Sequence, residues 1–147
     1  MRSNRADSSQ FVSRKKDGDW FGGPCAEAPT QFFHVAVHNW RADGGDPCIG
    51  RRLAALLNEA GFVQIRQLPV YSAALGHLKT TAQHMLSALE RPELRARAVA
   101  LGWITAARWD RLSDEIALWA SNDQSVAAFA ECSAIGRKPD VATPDAQ

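Results

Sequence analysis

The chain has 147 residues, 46% of them hydrophobic and 22% charged, with a formal net charge of +1. That suits one globular domain with a single core and gives no reason to expect a general nucleic-acid or membrane surface. No run of about 18 apolar residues occurs, "MRSNRADSSQ" lacks the apolar segment of a signal peptide, and three scattered cysteines make no disulfide framework. The expectation is a cytoplasmic protein with reduced thiols.

Residues 1–30 are rich in Ser, Arg, Lys, Asp, Gly and Pro, with isolated apolar residues such as Phe11, Val12, Trp20 and Phe21. They read as a poorly ordered N-terminal segment. "QFFHVAVHNW" follows, apolar in both parities, which predicts a short strand covered on both sides. The loop "RADGGDP" ends it.

A helix comes next, with Asp46 as the expected N-cap and Pro47 at the first helical position. Ile49, Leu53, Leu56, Leu57 and Ala60 form its apolar stripe, Gly61 its left-handed stop, and Phe62 the residue that folds back on Leu57. The strand "VQIRQLPVY" begins with alternation at Val63 and Ile65. Its parity then shifts to Leu68 and Val70, which predicts a bulge near Gln67, and Pro69 places that part at an edge or strand end.

Residues 73–124 read as a three-helix insert. Leu75, Leu78, Met85, Leu86 and Leu89 mark the first helix, and Arg91-Pro92 breaks it. Leu94, Ala98 and Leu101 mark a shorter one closing at Gly102. Thr105 caps a third, with Trp109, Leu112, Ile116 and Trp119 on one face. "VAAFAECSAIGRKP" predicts a final strand with Phe129, Ser133 and Ile135 in alternating register. Residues 140–147 form a polar, disordered tail. The order strand, helix, strand, helical insert, strand belongs to α/β architectures.

The unit "GRRLAALLNEAGFVQIRQLPV", the helical insert with "WITAARWDRLSDEI" and the closing "AIGRKP" resemble the C-terminal part of class I S-adenosylmethionine-dependent methyltransferases of the small-molecule type, over roughly residues 40–139. The resemblance implies a Rossmann-like sheet whose last two strands, residues 63–71 and 126–137, form an antiparallel edge pair, with the insert as a substrate cap. It also implies S-adenosylmethionine as cofactor and a small-molecule acceptor. The family's glycine-rich "GxGxG" turn is missing: "GDWFGGP" lacks an apolar strand before it and a periodic helix after it, and "ADGGDP" matches the loop before a later helix. The expectation is therefore residues 31–139 as a methyltransferase-like part without its cofactor motif. The alternative is a non-catalytic module that dimerises, or joins a complementing chain, through a sheet edge.

Several side chains invite chemical readings. His34 and His38, with Cys25 and Cys48, could suggest zinc, but four residues of strand span about 13 Å, too far for one ion. His77 and His84, seven apart on a helix, are candidates for a general base acting on an acceptor. Tyr71, Trp103 and Trp109 are candidates for a flat apolar acceptor pocket, together with Trp119. Trp109 and Trp119 have the spacing of core residues, and Trp103, beside Gly102, is the better pocket residue. Arg51 and Arg52 follow a cap at which Asp46 argues against an anion, and Cys132 reads as an inert core thiol.

Overall fold

A computed structural model describes residues 10–72 and 77–139. The order is β1 (Gln10–Gly23), α1 (Glu27–Ala42), a 3-10 turn (Ile49–Arg52), α2 (Leu53–Glu59), β2 (Val63–Ser72), α3 (His77–Leu89), α4 (Pro92–Ala100), α5 (Ala106–Ala120) and β3 (Val126–Arg137). The strands form a three-stranded antiparallel sheet in the order β1-β3-β2, so the last strand in sequence sits between the other two. The fold is mixed α/β, as expected.

Two expectations at the start of the chain are corrected. β1 falls inside the segment 1–30 that composition marks as poorly ordered. Residues 31–40, expected as a strand, belong to the 16-residue helix α1. Both parities of "QFFHVAVHNW" are apolar, which satisfies a two-sided strand. The buried set Ala28, Phe32 and Val35 nevertheless falls on one stripe at helical spacing. Pro29 lies in the first turn, where its missing N–H is one of the amides left without a helical partner.

The described chain divides into two compact units. The sheet unit takes the residues up to Asp17, Cys48–Val70 and those from Glu131. In it Leu53 and Leu57 of α2 pack on Cys132 and Ala134 of β3, flanked by Phe62 and Ile65. The expected glycine stop is present: Gly61 has φ +81°, Phe62 N–H donates to the Leu57 carbonyl at 3.0 Å and Gly61 N–H to Asn58 at 2.9 Å. These are the paired bonds that close a helix on a left-handed residue.

The start of α2 differs from expectation. The regular helix begins at Leu53, after the 3-10 turn, and neither start has a side-chain cap of its own. The Gln67 side chain supplies the missing partner: its Oε1 accepts from Ala54 N–H at 2.8 Å, and its Nε2 donates to the carbonyls of Gly50 (3.2 Å) and Arg51 (3.3 Å). The irregularity expected near Gln67 lies at Gln64, which has φ +52°.

The helical unit takes Gly18–Pro47 and Tyr71–Ala130. Its core joins Phe32 and Val35 of α1, Ala82, Met85 and Leu89 of α3, Ala98 of α4, and Trp109, Leu112 and Ile116 of α5. The expected breaks hold at Arg91-Pro92 and at Thr105, whose hydroxyl accepts from Arg108 N–H at 3.2 Å. Gly102, at φ +70°, closes α4 and lets Trp103 N–H reach the Ala98 carbonyl at 2.9 Å. Leu75, expected on the first insert helix, and the tail 140–147 lie outside the described residues.

Candidate functional site

At the carboxyl end of β1 the helical unit has a groove of about 590 Å³ between the turn Gly22–Ala26, the first two turns of α1, and Arg108 of α5. Cys25, Glu27, Thr30 and His34 line it. An adjoining depression of about 390 Å³ shares Pro24, Cys25 and Glu27 and continues to Glu115, Leu118 and Trp119.

Aromatic packing fixes the end of β1 against its neighbours. Trp20, near the end of β1, lies 5.8 Å from Phe33, 5.3 Å from Phe129 and 6.0 Å from Trp119, centroid to centroid. Its Nε1 donates to Thr30 Oγ1 at 2.9 Å, which ties the strand to the helix that follows. Gly22 is required by this packing, since a Cβ there would meet Trp20 Cζ2 at 2.5 Å. Trp119 Nε1 is sealed from solvent and has no hydrogen-bond partner among the described residues.

Arg108 is the electrostatic centre of the wall. Its Nε donates to Gln31 Oε1, and its Nη1 donates to Glu115 Oε1 at 2.6 Å. The Arg108 hydrogen bond holds the Glu115 carboxyl below its usual range, against the opposing effect of burial, and the charges of Arg108 and Arg111 add to it. The groove wall also carries Glu27, His34, the Cys25 thiol and the Thr30 hydroxyl, which offer hydrogen-bond donors and acceptors.

The candidates named from sequence are dispersed. His84 is exposed on α3, and the side chain of His77, the first residue of α3, lies outside the described residues. Tyr71 is 59% exposed near the end of β2. Trp109 is buried in the core. Trp103 is half-buried and stacks on His38, with centroids 5.5 Å apart and planes 19° apart. The structure therefore brings Trp103 to His38 and brings His34 to the groove, and it leaves His84, Tyr71 and Trp109 apart from it. Glu27 and Arg108 were not singled out from sequence; the one signal was the Thr105 cap, which places Arg108 in the first turn of α5.

The residues at "GDWFGGP" do not fit a cofactor turn, although a strand does precede them and a helix does follow. Gly22 makes room for Trp20, Glu27 brings an acidic side chain to the first turn of α1, and the strand beside β1 is the antiparallel β3. No protein-family model matches the chain, and no curated protein matches it. No helix among the described residues is long and apolar enough to cross a membrane.

Proposed function

We propose that this chain is the acceptor-side, C-terminal part of an S-adenosylmethionine-dependent methyltransferase that acts on a small molecule. The observation that carries the reading is the position of β3. The last strand pairs with β2 and lies between it and β1, which agrees with the antiparallel edge pair that the resemblance implies. The helix–glycine–strand unit and the three helices between β2 and β3 support the same reading. β1 is then the strand through which the parent sheet continues. The groove at its carboxyl end is where an acceptor is positioned, and methyl transfer is mainly a matter of such positioning.

Calorimetric titration with S-adenosylmethionine, of the full chain alone and mixed with the polypeptide encoded directly upstream, tests this. Saturable binding in either arrangement supports the reading, and its absence from both overturns it.

A second reading has one observation in its favour. β2 is an edge strand, and it exposes Leu68 at 63% together with Val63, Val70 and Tyr71. Such an edge suits a non-catalytic docking or dimerisation module. Sedimentation at rising concentration, with Leu68→Lys as the control, distinguishes it: association that the variant abolishes supports docking through β2.

A further inference from the structure

Replacing the expected strand over residues 31–40 by α1 changes what its two histidines can do. On a strand their side chains stand about 13 Å apart. On α1 His34 and His38 are four residues apart and share one face, with Cβ atoms about 5–6 Å apart. Both are exposed. The ring of His38 is held against Trp103, and His34 lines the groove described above.

Imidazole nitrogens coordinate zinc, nickel and copper, with bonds of about 2.0–2.1 Å for zinc, and two histidines at this helical spacing form the chelating pair of helical zinc motifs. We propose that His34 and His38 are a two-histidine chelate on the outer face of α1 for a divalent transition ion of the nickel, copper and zinc group. Among the described residues no third His, Cys, Asp or Glu completes a cluster, so the site is open, with water or an exogenous ligand at its other positions. Stacking on Trp103 restrains the His38 ring. Arg108 lines the same groove as His34, and its charge is offset by the Glu115 carboxylate; Arg41 follows His38 by three residues on α1. The inference is independent of the methyltransferase reading.

Calorimetric titration of the full chain with nickel(II) chloride is the test. The expected result is one saturable site that His34→Ala and His38→Ala each weaken about a hundredfold, the gain that a second tethered ligand brings. His84→Ala should leave the affinity unchanged. Both histidines are exposed, so the variants should keep the wild-type circular dichroism. Spin-resonance spectra of the copper(II) form should show two imidazole nitrogens. Wild-type affinity in either alanine variant, or a spectrum with one imidazole nitrogen, would overturn the proposal.

Discussion

The indole N–H of Trp20 donates to the hydroxyl of Thr30 at 2.9 Å, joining the end of β1 to the first turn of α1. Trp20→Phe keeps the ring contacts with Phe33 and Phe129 and removes this bond, with an expected loss of about 1 kcal/mol. Trp20→Ala also removes the ring and should cost about 3 kcal/mol. Urea unfolding of the two variants measures the difference. Equal losses would show that the hydrogen bond, and not the ring, holds the strand end.

Leu112 is fully buried at the centre of the helical core, and Leu118, six residues on, is 73% exposed. Leu112→Ala should cost about 2–5 kcal/mol through lost transfer energy and a residual cavity. Leu118→Ala should stay within about 0.5 kcal/mol. Thermal unfolding of the pair checks the assigned face of α5.

Gly61 sits at φ +81°, where a side chain is strained. Gly61→Ala should destabilise by about 1–2 kcal/mol, with Phe62 and Leu57 losing their alignment. Gly23 meets nothing within 4 Å of an added Cβ, so Gly23→Ala should be milder. Denaturant midpoints compare the two.

Glu115 gives a pH dependence of defined sign. Its folded carboxyl titrates below the usual range because Arg108 donates to the charged form. The stabilisation is therefore present above the unfolded carboxylate value, about 4.3, and is lost as pH falls through the lower folded value. The melting temperature of wild type minus that of Glu115→Gln should rise from acid to neutral pH and then level off. A difference that is flat with pH would refute the assignment.

The helices α3, α4 and α5 were legible because their apolar stripes are separated by clear breaks, at Arg91-Pro92, at Gly102 and at the Thr105 cap. α1 was not, because residues 31–40, with apolar side chains in both parities, fit a two-sided strand as well as a helix, and Ala28, part of the buried stripe, lies before them. β1 was missed because its partner β3 is more than a hundred residues away in sequence, and polar composition alone does not show a pairing made at that distance. Separation in sequence also hid the groove. Glu27 and His34 line it together with Arg108, which lies beyond three other helices along the chain. β3 itself was legible, since Cys132 and Ala134 turn inward while Ser133 and Ile135 are less buried.

The Gln67 carboxamide stands in for a peptide group at the start of α2, taking one amide and serving two carbonyls. Helices of this length are marginal in isolation, and this one draws its first-turn partner from the strand that comes after it. A ribosome releasing the chain would therefore present residues 49–60 as an unfinished turn until β2 had emerged. Helix and strand should then order together, as one step in synthesis.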